Sequence, residues 1–154
     1  MFVSLGCKDV ETFIASGNVI FQAGGDPAKL EKKFETRLRS SLGYEVSVFL
    51  RTRAEVKAIA QYQPFPEPQV QSAAALNVAL LSQPLPPGAG KALLALENGI
   101  DQFHAHGREV YWLCKEKQSG STFSNAVFEK TLKIRSTFRG ISTIRKLAAK
   151  YPDR

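Results

Sequence analysis

Cysteine is scarce in this sequence, and the two cysteines present carry no metal motif. Cys7 and Cys114 lie far apart, and neither belongs to a CxxC or a His/Cys cluster. A structural zinc site needs four ligands at close spacing, so this pattern excludes one. We predict that both residues are free thiols that pack as small apolar side chains.

The sequence also has no long apolar segment. A helix needs about 20 mainly apolar residues to cross a bilayer, and no stretch of this chain approaches that length. Residues 1–5 are too short for the apolar region of a secretory signal, and no basic region precedes them. We therefore expect a cytoplasmic chain with no membrane partner.

Sequence signatures of cofactor binding and acid–base chemistry are missing as well. No glycine-rich loop of the P-loop or dinucleotide type is present. No pair of carboxylates stands out as acid and base, since Glu11, Glu45 and Glu97 are scattered. We predict no cofactor, and the sequence leaves open whether the chain is an enzyme.

What is present is the composition of an ordinary folded chain with an excess of positive charge. Apolar residues make up 44% and charged residues 23% of the 154 residues, close to the average for folded proteins. Lysine and arginine outnumber aspartate and glutamate by 21 to 14, for a formal net charge of +7. Such a charge favours anionic partners, so the expected ligand is a nucleic acid or a phosphorylated small molecule.

The first part of the chain predicts a β-hairpin followed by a helix. Residues 10–14 and 18–21 are β-branched and aromatic runs that flank a Ser-Gly turn. Asp26-Pro27 is typical of a helix start. Apolar residues then recur every four positions up to Leu42, and Gly43 is typical of a helix end.

A proline-rich segment follows and divides the chain. Residues 44–50 alternate between apolar and polar and predict a strand. Thr52 and Glu55 have the spacing of a capping box at the start of a short helix. Residues 61–72 contain three prolines in alternation, so we predict no regular structure there.

The second part predicts the order β-α-β-β-α-β, followed by one more helix. The predicted elements are a strand at 76–80, a helix at 91–98, hairpin strands at 100–105 and 109–115 turning near Gly107, a helix capped by Ser121 or Thr122, a short strand at 136–138 and a last helix from about Ser142 to Lys150.

This order is that of a ferredoxin-like βαββαβ unit. We predict an α+β fold of two tandem ferredoxin-like βαββαβ units, the first missing its leading strand and most of its first helix. The predicted organisation is an N-terminal unit at 1–62, a linker at 63–72 and a C-terminal unit at 73–154. Because the leading strand of such a unit is normally central, we expect the natural chain to extend upstream of Met1.

Two segments of the chain resemble a known family. Residues 12–21 carry an aromatic-Ile-x-Ser-Gly-Asn-Val segment. It is similar to that of the bacterial proteins known as domain of unknown function number one thousand six hundred and ninety-seven. Residues 137–147 resemble the family's closing segment, a Thr-x-Arg-Asn turn before a Thr-Val/Ile-x-Lys-Leu helix, and Ser124 resembles a recurring serine. The resemblance implies the fold, and it implies no activity.

The sequence departs from the family pattern in two places. The Leu-Arg-Gly-Ile-Asn-rich strand and loop that open the family are absent, and Gly140 stands where the family usually has asparagine. If that loop and asparagine form a site, this chain has lost it.

The strongest candidate site lies at the start of the last helix, where Arg139, Arg145 and Lys146 are expected to flank a helix N-terminus capped by Ser142 or Thr143. Free N–H groups and the helix dipole suit phosphate there. We predict an anion-binding site at these residues. The alternative is an ordinary cap beside a solvated basic face.

Two weaker candidates remain. Ser16, Gly17 and Asn18 form the family-like hairpin motif, which ordinary turn chemistry also explains. His104 and His106 are expected on one face of a strand, with Glu109 roughly opposite His104, which would be half a metal site. Because a third ligand is missing, we predict no metal and a solvated face instead.

Three functional hypotheses follow. The first is a module that binds an anion or a nucleic acid. The second is a small-molecule enzyme or sensor with a cleft between the two units. The third is a truncated, inactive paralogue that lost its site with the opening strand.

Overall fold

The structure is a computed structural model, which describes residues 8–12, 18–22, 26–44, 47–97, 99–115 and 125–151. The chain forms two compact units, residues 1–50 and residues 51–154. Within the described residues the elements are β1 (Lys8–Thr12), β2 (Val19–Gln22), α1 (Pro27–Leu42), α2 (Arg53–Gln61), α3 (Glu67–Ser72), β3 (Ala75–Leu81), α4 (Ala89–Ala95), β4 (Asp101–His106), β5 (Glu109–Cys114), α5 (Asn125–Leu132), β6 (Ser136–Gly140) and α6 (Ile141–Lys150). The predicted α+β class is confirmed. Among the residues that the structure describes, no helix has both the length and the apolar composition that crossing a membrane requires.

The first unit contains the predicted hairpin and helix. β1 and β2 pair antiparallel, with Thr12 opposite Val19. α1 begins as predicted, because Asp26 accepts a hydrogen bond from the Ala28 N–H at 3.1 Å and Pro27 occupies the first helical position. Phe34 on α1 is fully buried, and its ring meets that of Phe21 edge to face.

The strand predicted at residues 44–50 is wrong where the structure describes it, because residues 47–50 form no ladder. The N–H of Val48 donates to the Glu35 carboxylate at 2.9 Å, and that of Leu50 donates to Glu31 at 2.8 Å. Two carboxylates of α1 therefore accept the hydrogen bonds that a neighbouring strand would otherwise take.

The end of α1 permits a direct test of backbone strain. Gly43 has φ +80°, whereas Gly90 in α4 has an ordinary φ and open space around the position of a Cβ. We expect Gly43→Ala to lower the free energy of unfolding by about 1–2 kcal/mol, because a Cβ is unfavourable in the left-handed region. The matched Gly90→Ala should raise it by about 0.5–1 kcal/mol. Urea titrations measure both, and equal shifts would contradict the strain argument.

The second unit is built on a four-stranded antiparallel sheet with the order β4-β5-β3-β6. After α2 and α3, its elements run β-α-β-β-α-β and end with α6, in the predicted order. The first strand of the unit, β3, lies between the third and the fourth. Each pairing is antiparallel, with Asn77 opposite Trp112 on one side and Gly140 on the other.

Helices cover both faces of this sheet. On one face α4 and α5 enclose a core that contains Leu81, Trp112 and Phe128. The other face carries Tyr111, whose hydroxyl donates to the Ile59 carbonyl of α2 at 3.5 Å, and α6 packs against α2. β3 is consequently buried on both sides along almost its whole length. Cys114 is buried in the core, as predicted for a small apolar side chain, while Cys7 lies outside the described residues.

The predicted lack of regular structure at residues 61–72 is wrong for its last part, which forms α3. Pro66 precedes the helix and Pro68 lies in its first turn. A proline there removes an N–H that has no partner within the helix, so the helix tolerates it. The first unit ends at Leu50, so α2 belongs to the second unit.

Candidate functional site

The strongest site lies where the sheet of the second unit ends and α6 begins. Asn77 of β3 pairs with Gly140, the last residue of β6. Its side chain is 8% exposed, and within the described part of the chain its Nδ2 has no hydrogen-bond partner. A buried amide without a partner costs about 1–3 kcal/mol. This feature therefore calls for an explanation.

The N-terminus of α6 has no side-chain cap. Gly140 is the N-cap residue, with extended backbone at φ −64° and ψ 144°, and no side chain hydrogen-bonds to the first turn as a cap. The first N–H groups of α6 have no partner within the helix, and they carry the positive end of its dipole. The capping role predicted for Ser142 or Thr143 is wrong, because the helix begins at Ile141.

Asn77 and the helix N-terminus meet at the α-carbon of Gly140. A Cβ placed on Gly140 would lie 3.8 Å from Asn77 Oδ1 and 3.7 Å from Ser142 Oγ. Oδ1, and not the unpartnered Nδ2, is the Asn77 atom nearest to that position. The α-carbon of Gly140 is thus bordered by an amide, a hydroxyl and the start of a helix.

A buried hydrogen bond lies on the strand that pairs with Asn77. Trp112, opposite Asn77 on β5, donates from Nε1 to Asp101 Oδ1 at 2.7 Å. Asp101 is fully buried. This hydrogen bond fixes the ring of Trp112, which lies opposite Asn77 in the sheet. The backbone of Asn77 is positioned by its pairing with β5.

The predicted arginine at this site lies on the other face of the sheet. Arg139 pairs with Val78, one residue along from the Asn77–Gly140 pair, so its side chain alternates away from Asn77. Its guanidinium donates to Thr137 Oγ1 and the Phe138 carbonyl, both at 2.8 Å. Burial lowers the pKa of Arg139.

The other predicted residues lie along α6. Ser142 is exposed and Thr143 is half-buried in the first turn. Arg145 and Lys146 are exposed and lie beyond the first turn. The structure therefore brings Ser142 and Thr143 to the helix start, and places the two cations where they add positive potential without bordering Gly140.

The family-like hairpin motif is described only in part. Ser16 and Gly17 lie outside the described residues. Asn18 is half-buried immediately before β2.

A second polar cluster links α2 to the β4–β5 turn. Arg51, 4% exposed, donates to Glu109 Oε2 at 3.3 Å and to the carbonyls of Leu81 and Arg108 at 2.8 and 3.1 Å. Burial lowers the pKa of Arg51 and raises the pKa of Glu109, although Arg51 partly opposes the second shift. Because these bonds span distant parts of the unit, the cluster is structural.

A neighbouring ion pair joins Arg108 to the Glu55 carboxylate. Burial favours a higher pKa for Glu55, but hydrogen bonds from the Thr52 N–H and from Arg108 outweigh it and lower the pKa. The capping box predicted at Thr52 and Glu55 is confirmed, with hydrogen bonds of 3.0 and 3.1 Å in both directions.

The two histidines of β4 lie in an aromatic cluster. Tyr62, which follows α2, forms a 2.7 Å hydrogen bond with His104 Nε2 and stacks on His106. Glu109 lies opposite His106, and Tyr111 lies opposite His104. The prediction that Glu109 lies roughly opposite His104 is therefore wrong by two residues. Among the residues that the structure describes, no group of three His, Cys, Asp or Glu side chains could hold a metal.

Sequence reasoning did not find Asn77, Arg51 or Tyr62. Asn77 is the one polar residue in the apolar run Ala75–Leu81, which is a usable signal once both faces of the strand are known to be buried. Arg51 and Tyr62 flank α2 and carry no comparable signal. Their roles depend on strands much later in the chain.

The fold and site define the class of this chain: an α+β protein with a four-stranded antiparallel sheet covered by helices. The family described as "Protein of unknown function (DUF1697)" matches residues 1–111, and the chain belongs to this family. The family resemblance predicted from residues 12–21 is thereby confirmed, while the resemblance of residues 137–147 lies beyond the matched residues and stays a prediction. Asn77 lies within the matched residues, and Gly140 lies beyond them.

A solved structure supports the fold along the whole chain. It is that of the conserved bacterial protein SP0830 from Streptococcus pneumoniae, with a TM-score of 0.74 and 21% sequence identity. The match covers 99% of this chain and 85% of that chain. At this identity the likeness concerns the fold alone. No protein with a curated description matches the chain.

Proposed function

We propose that this protein binds a small oxyanion, such as a phosphate or carboxylate group, at the N-terminus of α6. The observation that carries the proposal is the buried amide of Asn77, which has no Nδ2 partner among the described residues and lies beside the uncapped Gly140. With the amide turned so that Nδ2 faces Gly140, an oxygen acceptor at this point would satisfy the amide and the first N–H groups of the helix together.

The charge of the chain supports an anionic ligand. The formal net charge is +7, and Arg145 and Lys146 project from the same helix. Among the residues that the structure describes, no cation lies within 4 Å of the Cβ position of Gly140, and Arg139 lies on the opposite face of the sheet. The proposed ligand is therefore held mainly by neutral donors and by the helix dipole, with the cations acting at longer range.

The test is thermal unfolding in inorganic phosphate against chloride at matched ionic strength. At phosphate about ten times its Kd, binding adds about 1.4 kcal/mol, or roughly 3–5 °C in Tm. Gly140→Asn should remove this rise, because the new side chain caps the helix itself. Asn77→Leu should remove it while keeping or raising the stability, because an apolar side chain of similar shape replaces the unpartnered amide.

The control is Lys57→Ala, an exposed residue of α2, which should keep the full rise. Phosphate also stabilises proteins in general by exclusion from their surfaces. An equal rise in all four proteins would identify that general effect and overturn the proposal.

We also propose that both units follow the ferredoxin-like β-α-β-β-α-β plan, with the first present in part. The strand order of the second unit, with its first strand between the third and the fourth, supports this plan. The description of residues 63–72 as a linker stays a prediction.

A further inference from the structure

We propose that the stacked pair Tyr62–His106 is a binding site for an unpaired base of single-stranded nucleic acid. The site is independent of the oxyanion site. His106 ends the edge strand β4 at the β4–β5 turn, whereas Gly140 ends the opposite edge strand at the other end of the sheet.

The first argument is the geometry of the two rings. The centroids of Tyr62 and His106 lie 4.0 Å apart and the ring planes are within 15° of parallel. His106 is exposed, so one ring face rests on the tyrosine while the residue remains open to solvent. A planar base on that side would extend an existing stack by one ring.

The second argument is that the stack is already ordered before any ligand arrives. The Tyr62 hydroxyl forms a 2.7 Å hydrogen bond with His104 Nε2. The centroid of the Tyr62 ring lies 5.2 Å from that of Tyr111. Tyr111 is 1% exposed, and its hydroxyl reaches the Ile59 carbonyl. The rings of Phe65 and His104 are arranged edge to face, with their centroids 6.3 Å apart. A fixed platform loses little conformational entropy when a ligand binds.

The third argument concerns why the planar ligand is a nucleic acid. Base stacking on aromatic side chains tolerates any base, and a basic protein attracts the phosphates. The chain carries a formal net charge of +7. Arg108, at the turn after His106, is already paired with Glu55, so the attraction for the phosphates comes from the net charge of the chain and not from this arginine.

The fold itself does not require this ring. An exposed His106 contributes little buried area, in contrast to Tyr62 and Tyr111 beneath it. Replacing His106 should consequently change ligand binding more than it changes folding.

The experiment measures binding of the full chain to a fluorescein-labelled oligothymidylate about 12 nucleotides long, by fluorescence polarisation across a salt series. A same-length oligomer without bases is the matched ligand. We expect the base-bearing oligomer to bind about tenfold tighter or more, since one stacked base contributes that much. Equal binding of the two oligomers, or no binding at low salt, would overturn the proposal.

Variants separate stacking from charge. His106→Ala should lower the affinity for the base-bearing oligomer about tenfold, and His106→Phe should restore it, because the phenylalanine ring keeps the platform. The slope of affinity against salt should not change, because no phosphate contact is lost. Equal affinity of the alanine and phenylalanine variants would contradict a stacking site.

Folding and specificity need their own controls. Trp112 fluorescence reports whether each variant is folded, and His106→Leu, which keeps the volume without a ring, should behave as His106→Ala does. Lys57→Ala serves as a surface control and should bind as the original chain does. Asn77→Leu, which abolishes the proposed oxyanion site, should also leave oligothymidylate binding intact. A loss in that variant would show that the oligomer uses the α6 site instead.

Discussion

Replacing Arg51 with methionine is expected to lower the free energy of unfolding by about 3–5 kcal/mol. The arginine side chain is 4% exposed, and its loss leaves the Glu109 carboxylate buried without its partner. It also removes the donors to the carbonyls of Leu81 and Arg108. Urea unfolding followed by Trp112 fluorescence measures the change, because this single tryptophan lies in the same unit.

The pH dependence of this loss follows from Glu109. Burial raises the pKa of Glu109 above 4.5 even with Arg51 present. A carboxyl with a raised pKa contributes stability at low pH that is lost as the pH rises through the folded-state pKa. Without Arg51 the pKa rises further, so the variant should lose more stability than the original chain as the pH rises above 4.5. Its deficit is therefore expected to be smaller at low pH than at neutral pH.

Two variants check this interpretation. Lys57→Met, at an exposed position of α2, should change stability by no more than about 0.5 kcal/mol. Adding Glu109→Gln to Arg51→Met removes the stranded charge and should recover part of the loss. A deficit that does not depend on pH, or no recovery in the double variant, would mean that the ion pair is not its cause.

Phe34→Ala is expected to destabilise the first unit by about 3–5 kcal/mol. The ring is fully buried, and it packs edge to face on Phe21 with centroids 5.1 Å apart. Truncation leaves a cavity between α1 and the hairpin. Hydrogen exchange at the amides of α1 measures the effect. We expect exchange to become more than about a hundredfold faster, because about 3 kcal/mol corresponds to a factor of that size in the opening equilibrium.

The matched control is Leu42→Ala on the same helix. Leu42 is 48% exposed, so its truncation should accelerate exchange only slightly. If both variants exchange alike, the predicted apolar stripe of α1 contributes through helix propensity and not through burial at Phe34.

Local chemistry made several elements predictable. Asp26-Pro27 and Gly43 mark the two ends of α1, and the structure places both where the sequence predicts. The capping box of Thr52 and Glu55 starts α2 in the same way. These signals succeed because each depends on neighbours within one turn of helix.

Other elements depended on partners that no local pattern names. Residues 47–50 have the composition of a strand, but the carboxylates of Glu31 and Glu35 take the hydrogen bonds of that backbone. α3 forms despite its prolines, because Pro68 lies in the first turn, where a missing N–H does no harm. In both cases the deciding factor is which backbone donors already have partners.

The candidate sites also combine features that the sequence indicated with contacts that only the folded structure creates. The basic segment around Arg139 directed attention to the start of α6, yet strand alternation turns Arg139 to the far face of the sheet. Asn77 is far from Gly140 in sequence and adjacent to it in the sheet. The partners of His104 and His106 depended on the register of β4 with β5 and on the position of Tyr62.

The sequence by itself determined the α+β class, the order of elements from β3 onwards, both ends of α1, the start of α2 and the family. All of these rest on periodicity, capping residues or short motifs, which act over a few residues. Only the tertiary structure decided that both faces of β3 are buried, that Asn77 faces an uncapped helix and that Tyr62 stacks on His106. Those features arise from strand register and from helix packing, which join residues far apart in the chain and therefore leave no local signal.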